Sequence, residues 1–162
     1  MALHPDFPES PHAILNPEIR WFPADEAMRE TTMDKLMPPL VAQLRKKVKE
    51  FRDSGYVGAT DTSKSLLNWW FKEPHLQPQP NGTDAQFQYF FAQREALETI
   101  IYLYDVVGAK DKFDLMRFDS SGAVSAQMFD ESWRRYVIKM ATGSGKTKVM
   151  SLALAWSFFH KL

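Results

Sequence analysis

The chain has 162 residues, of which 44% are hydrophobic and 14% aromatic, so it is long enough to bury one modest core. Its 20 basic and 20 acidic residues cancel, and this balance gives no support to nucleic-acid binding by the chain alone. It contains no cysteine, no membrane-spanning apolar stretch and no signal-peptide pattern, which excludes disulfides and thiol catalysis and predicts a cytoplasmic protein without a membrane contact.

Residues 1–23 contain five prolines and are predicted to form an extended arm. Trp21 and Phe22 favour docking of this arm onto another surface over a partly disordered terminus. A helix is predicted to follow from Pro38 to about Asp53, because Gly55 ends it and apolar residues recur three or four positions apart. These apolar residues are Leu40, Leu44, Val48 and Phe51.

The other face of this helix is basic. It carries Arg45, Lys46, Lys47, Lys49 and Arg52. A solvated helix surface is the favoured interpretation, and a patch that contacts phosphates is the alternative.

A second helix is predicted after Thr60, since the segment from Thr60 to Ser63 is rich in residues that cap helix N-termini. Near its end stand Trp69, Trp70 and Phe71, which we expect to close a core rather than to stack on nucleic-acid bases. The segment from Lys72 to Gly82 contains three prolines and an Asn-Gly pair, so it is predicted to be a linker and an internal boundary.

A third helix is predicted to run from Thr83 to about Val106, because Thr83 and Gln86 match a capping box. Gln93 is expected in the middle of this helix. Its amide offers a donor and an acceptor, the two groups that the edge of adenine requires. An exposed helix glutamine is the alternative. The connection over residues 107–132 is predicted to hold a short helix near Lys112 to Arg117.

The segment Tyr136–Met140 predicts a short buried strand, and Lys148–Leu162 predicts a mostly buried helix. The residues between them have the composition of a phosphate-binding loop (a P-loop, or Walker A motif). They are Thr142, Gly143, Ser144, Gly145, Lys146 and Thr147.

Each residue type suits the binding of a nucleotide. The glycines allow a tight turn whose N–H groups surround a phosphate at the positive end of the following helix. Lys146 can reach the β- and γ-phosphates, and the hydroxyl of Thr147 can ligate Mg²⁺. ATP and Mg²⁺ are therefore the predicted cofactors. The general pattern has a glycine where this chain has Met140, which points to one subclass of such loops.

Three segments resemble one family. Met140 to Thr147 resembles motif I of the second helicase superfamily, which contains the DEAD/DEAH-box helicases, and in particular of its restriction-subunit branch. Phe90 to Glu98 resembles the adenine-contacting segment of that branch, which implies that Gln93, and with it Phe91, contacts adenine. Gly55 to Phe71 resembles the leader region of helicase-type restriction endonuclease proteins related to type III restriction enzyme Res subunits.

The resemblance implies that the parent protein is an ATP hydrolase that translocates on DNA or unwinds it, with DNA and other restriction-modification subunits as partners. Such enzymes need an acidic motif and arginine fingers that follow the loop. Because the chain stops at Leu162, we expect it to be the N-terminal piece of a larger protein, without catalytic residues or hydrolysis of its own. One alternative is a helical interaction or DNA-recognition module with a truncated phosphate loop, and another is an unrelated phosphate-loop ATPase.

The predicted fold is mainly α with little strand (α+β). We expect an extended arm over residues 1–23, a helical leader region over 24–80, and the start of a truncated RecA-like motor domain over 83–162. Because only one strand is convincing, its edges would be exposed, and self-association of the chain through this strand is a further expectation.

Overall fold

The computed structural model describes residues 40–119, 122, 124 and 137–161. The predicted arm, the beginning of the leader region and Tyr136 lie outside the described residues. The described part of the chain is mainly helical with a two-stranded sheet, which confirms the predicted fold class.

The chain divides into two compact units, one of Phe51–Gly108 with Tyr136–Leu162 and one of Met1–Glu50 with Ala109–Arg135. The segment Lys72–Gly82, predicted to be an internal boundary, lies within the first of these units. The predicted division into an extended arm, a leader region and a motor domain stays a prediction.

Helix α1 spans Val41–Asp53, close to the predicted range. It ends in a Schellman motif, in which the N–H of Gly55 donates to Arg52 O at 3.1 Å and the N–H of Tyr56 donates to Phe51 O at 2.9 Å. The rings of Tyr56 and Phe51 pack edge to face, 5.2 Å between centroids, which is the apolar contact that accompanies this motif. Tyr56 has a φ of 66°, a left-handed conformation that bulky residues rarely adopt.

Helix α2 spans Asp61–Phe71 and is capped by Thr60, whose hydroxyl accepts from Ser63 N. Trp70 is buried and Phe71 packs against the core, as predicted. Trp69 is 58% exposed, so the prediction that it closes the core is wrong. It points away from the core because adjacent helix residues project about 100° apart.

The segment predicted to be a linker forms a β-hairpin. Strand β1, His75–Pro78, pairs antiparallel with strand β2, Asp84–Phe87. In the turn, Asn81 Oδ1 accepts hydrogen bonds from the backbone N–H and the hydroxyl of Thr83, at 3.1 and 2.7 Å. The N–H of Gly82 donates to Gln79 O at 3.0 Å, and Gly82 supplies the positive φ, 80°, that follows the turn in hairpin loops of this kind.

The predicted capping box at Thr83 and Gln86 is therefore wrong, because both residues belong to the hairpin. Helix α3 begins later and spans Phe91–Ile101, after which the chain continues as a π-helical turn over Tyr102–Val106. Gln93 lies in the first turn of α3 rather than in the middle of a long helix.

The last two predicted helices are present. Helix α4 spans Lys112–Met116, and helix α5 spans Lys146–His160. Val137–Met140, in contrast, form no strand, so the predicted buried strand is wrong for these residues, and Val137 is 77% exposed. A strand needs a hydrogen-bonded neighbour, and no described residue pairs with this segment. Self-association through it stays a prediction.

The core of the first unit is built from the end of α1, the loop after it, and helices α2, α3 and α5. The buried cluster consists of Phe51, Tyr56, Ala59, Leu67, Trp70, Leu97, Ile101, Leu152 and Trp156. Only one face of α5 contributes to this cluster, because Met150 and Leu154 on the helix are 70% and 73% exposed. The prediction of a mostly buried helix is therefore correct for one face only. Of the helices that the structure describes, none has the length and apolarity to cross a bilayer.

Candidate nucleotide-binding site

The loop between Ala141 and helix α5 turns tightly. Ala141 O accepts from Ser144 N at 3.2 Å and from the Ser144 hydroxyl at 2.6 Å, which closes a four-residue turn. Gly143 has a φ of 81° at the third position of this turn, and Gly145, the N-cap of α5, has a φ of 78°. These left-handed conformations explain why glycine occupies both positions.

The start of α5 suits an anion. The first N–H groups of a helix have no intrahelical acceptor and lie at the positive end of the helix dipole. Lys146 is exposed, and its ammonium group donates to Met140 O at 3.2 Å and to Ala141 O at 3.1 Å, so it lies over the loop. A phosphate can replace these neutral carbonyls as the partner of the ammonium group, because charge-assisted hydrogen bonds are stronger.

Thr142 and Thr147 are both exposed beside this positive region. The hydroxyl of Thr147 offers one oxygen ligand to Mg²⁺, an ion that takes its remaining ligands from phosphate and water at nucleotide sites. Within the described ranges, no group of three or more His, Cys, Asp or Glu side chains forms a separate metal site. The single hydroxyl of Thr147 suits an ion that takes most of its ligands from a nucleotide and from water.

The structure brings Gln93 to this loop. Its side chain is buried, with Oε1 accepting from Phe90 N at 2.9 Å and Nε2 donating to Gly145 O at 3.4 Å. Gln93 is therefore not the exposed helix glutamine of the alternative interpretation. A primary amide carries a second N–H and a second lone pair, so capacity for an adenine edge remains. That contact with adenine stays a prediction.

The end of the Gln93 side chain lies directly against Gly145. A Cβ atom built on Gly145 would overlap Gln93 Nε2. The carbonyl oxygen of Gly145 also accepts hydrogen bonds from Lys148 N at 3.0 Å and from Val149 N at 3.3 Å. Gln93 therefore contacts the same residue whose carbonyl accepts the first hydrogen bonds of helix α5.

Phe91, the other predicted adenine residue, is half-buried, and the guanidinium carbon of Arg52 lies 4.9 Å from its ring centroid. One face of the ring is thus covered by a cation, and its contact with adenine stays a prediction. A different aromatic residue lies near the loop: Lys148 Nζ is 5.5 Å from the ring centroid of Phe87 in strand β2. The sequence did not indicate this contact because the hairpin was not predicted.

A buried charge cluster, which the sequence also did not indicate, lies on the same helix as Gln93. Glu98 is fully buried and accepts from Arg52 Nε at 2.8 Å, from Arg94 Nε at 2.8 Å and from the Tyr56 hydroxyl at 2.8 Å. Arg94 Nη2 also donates to the Tyr56 hydroxyl, at 3.0 Å. Burial, together with the negative charge of Glu98, raises the pKa of Tyr56 well above its ordinary value.

This cluster corrects the interpretation of the basic face of α1. Arg52 does not belong to an exposed basic surface, because its guanidinium group binds Glu98 and its side chain is only 14% exposed. Lys47 pairs with Glu50 over 2.8 Å on the exposed part of the helix. The favoured interpretation as a solvated helix surface thus holds for Lys47 and fails for Arg52.

Residues 86–162 match the family model described as "Type III restriction enzyme, res subunit". The matched part is just under half of the chain, and it contains the loop and the adenine segment on which the resemblance rests. The match includes α3, the predicted phosphate-binding loop and α5, and it excludes α1, α2 and strand β1. Comparison with curated proteins and with solved structures gave no significant match.

Proposed function

We propose that this chain binds Mg-ATP through Thr142–Thr147 and forms part of an ATP-dependent DNA helicase or translocase of the restriction-enzyme type. The observation that carries the proposal is the hydrogen bond between Gln93 and Gly145, because it joins the predicted adenine residue to the predicted phosphate loop. The family match to residues 86–162 supports the same assignment.

Each group has a defined part in this proposal. The N–H groups at the start of α5 bind phosphate oxygens, and Lys146 neutralises their charge as a point charge. Thr147 contributes its hydroxyl to the Mg²⁺ that accompanies the nucleotide. Gln93 uses its remaining N–H and lone pair for the adenine edge. Binding at these groups orients the triphosphate for the hydrolysis that would drive movement on DNA.

The test is a titration of the 162-residue chain with a fluorescent ATP analogue in the presence of Mg²⁺. Lys146→Ala should raise the Kd about tenfold or more, since a charge-assisted hydrogen bond to phosphate is lost. Lys146 is exposed and bonds only to Met140 O and Ala141 O among the contacts described, so the variant should keep its circular dichroism spectrum and Tm.

Lys161→Ala is the matched control, because Lys161 is an exposed lysine just beyond the other end of α5. It should bind the analogue like the unaltered chain. Equal affinities of all three proteins, or no saturable binding by any of them, would contradict the assignment of the loop. That the chain alone does not hydrolyse ATP stays a separate prediction, which steady phosphate release would disprove.

A further inference from the structure

The segment Phe51–Phe71, here called the leader segment, lies outside the family match, yet it belongs to the same compact unit as the phosphate loop. It supplies more than half of the buried cluster of that unit. Its members of the cluster are Phe51, Tyr56, Ala59, Leu67 and Trp70. Helices α3 and α5, which are proposed to contact the nucleotide, therefore share one core with a segment that precedes the matched residues 86–162.

The leader segment contacts helix α3 through the buried cluster around Glu98. Tyr56 donates to Glu98 Oε1 at 2.8 Å, and Arg52 binds Oε2 through Nε at 2.8 Å. Glu98 and Gln93 are five positions apart, so they project about 140° apart around the helix axis. Helix α3 is thus held on one side by the leader segment and on another side by its bond from Gln93 to Gly145.

The leader segment contacts helix α5 through a second buried hydrogen bond. Trp156 Nε1 donates to the hydroxyl oxygen of Ser63 at 2.8 Å, and Ser63 is fully buried. The hydroxyl of Thr60 also donates to that of Ser63, at 3.0 Å, which ties the bond to the N-cap of α2. Since α5 begins at the phosphate loop, this contact fixes the helix whose first turn is proposed to bind phosphate.

Tyr56 is held in an unfavourable backbone conformation. Its φ of 66° is an outlier for a bulky residue, and such conformations persist only where surrounding contacts impose them. Here the contacts are the N–H bond to Phe51 O, the packing against the Phe51 ring and the hydroxyl bond to Glu98. The hydrogen bond to Glu98 is therefore one of the contacts that hold Tyr56 in this conformation.

We propose that the leader segment is a positioning platform for the nucleotide site, with Tyr56 and Ser63 as its positioning residues. Tyr56 fixes the rotation of α3, which directs Gln93 at the loop, and Ser63 fixes α5, which carries the loop. The identity of the ligand as Mg-ATP rests on the proposed function. The effect of the leader segment on the loop, in contrast, can be measured without any nucleotide.

Hydrogen–deuterium exchange of the full 162-residue chain tests the platform directly. The amides of Lys148 and Val149 donate to Gly145 O and report on the loop. We expect Tyr56→Phe and Ser63→Ala each to lower protection at these two amides about threefold or more relative to protection at Leu97. Tyr56→Phe keeps the ring that packs on Phe51 and removes only the hydroxyl.

Two controls separate positioning from loss of stability. Leu67→Ala creates a cavity in the same cluster without touching a polar contact, so it should lower protection at the loop and at Leu97 together. Ser65→Ala lies on the exposed face of α2 and should change neither. If Tyr56→Phe and Ser63→Ala behave like Leu67→Ala, the platform is only structural and the proposal is overturned.

Titration with the fluorescent ATP analogue then links the platform to function. We expect Tyr56→Phe and Ser63→Ala to raise the Kd about threefold to tenfold while both variants remain folded. If the unaltered chain fails to bind the analogue but its loop responds in the exchange experiment, the proposed function fails and the platform stands. If the loop does not respond, the platform fails whatever the affinity for nucleotide.

Discussion

Gln93 and Gly145 are 52 positions apart in the chain, yet the side-chain amide of Gln93 donates to the carbonyl oxygen of Gly145 over 3.4 Å. The two residues come from segments that would contact opposite ends of one nucleotide, the base and the triphosphate. The bond holds the first turn of α3 against the residue that starts α5. A substitution at either residue should therefore alter the packing around the other.

Gln93→Ala should weaken the binding of ATP more than that of GTP. Loss of the bond to Gly145 should loosen the loop for both nucleotides. Loss of the predicted contact with the adenine edge should weaken ATP binding alone, by about 1–3 kcal/mol. The Kd of fluorescent ATP and GTP analogues measures this difference. Gln77→Ala, an exposed glutamine in strand β1, is the control. Equal losses for the two nucleotides would leave Gln93 with the loop contact and without the adenine contact.

Gly145→Ala should destabilise the chain and weaken ATP binding by more than Gly143→Ala does. Both glycines have a positive φ, so each variant carries the left-handed strain of about 1–2 kcal/mol. A Cβ at Gly143 meets nothing within 4 Å, whereas one at Gly145 overlaps Gln93 Nε2. Urea unfolding gives the two free energies of unfolding.

The double variant Gly145→Ala/Gln93→Ala tests whether the overlap is the cause. Removal of the Gln93 amide leaves space for the added methyl group, so the two changes should be clearly non-additive, and the double variant should recover part of the lost stability. Additive losses would show that Gly145 is needed for its backbone conformation alone.

Local sequence signals predicted much of this fold and the residues of the loop. Helix α2 follows its Thr60 cap, and α5 follows the Gly-Ser-Gly turn, because caps and turns act within a few residues. The start of α3 was misplaced because two local signals competed. Thr83 with Gln86 resembles a capping box, but Asn81 and Gly82 form the turn of a hairpin, which moves the helix start to Phe91.

Contacts between distant segments could not be predicted from the sequence. Arg94 and Glu98 are spaced like an ordinary surface ion pair on a helix, and only the fold shows that Glu98 is fully buried between Arg52 and Tyr56. The predicted strand at Val137–Met140 failed for a related reason, since strand formation depends on a neighbour elsewhere in the chain.

Alkaline pH should destabilise the unaltered chain more than Tyr56→Phe. Burial and the Glu98 carboxylate raise the pKa of Tyr56 in the folded state, so the folded protein retains the phenolic proton more strongly than the unfolded chain. The stabilisation from this group is complete below the ordinary tyrosine pKa of about 10 and is lost as pH rises above that value. Chemical unfolding at pH 8 and at about pH 10.5 measures the difference. An equal loss of stability in both proteins would contradict it.

Duplex DNA should bind this chain only weakly and without sequence preference. The chain has no net charge. The guanidinium group of Arg52 is bound to Glu98, and Lys47 pairs with Glu50. Few phosphates can then be neutralised, and each one contributes a slope of roughly −0.9 to the dependence of log K on log salt. A fluorescence titration with short duplexes at low and at physiological salt should give a shallow slope and almost no binding at the higher salt.

Two variants test whether the residual binding depends on the basic face of α1. Lys46→Glu, which reverses an exposed charge on α1, should reduce the residual binding, and Glu73→Gln, at an exposed acidic residue after α2, should not. Tight, salt-resistant and sequence-selective binding would instead favour a DNA-recognition module as the function of this chain.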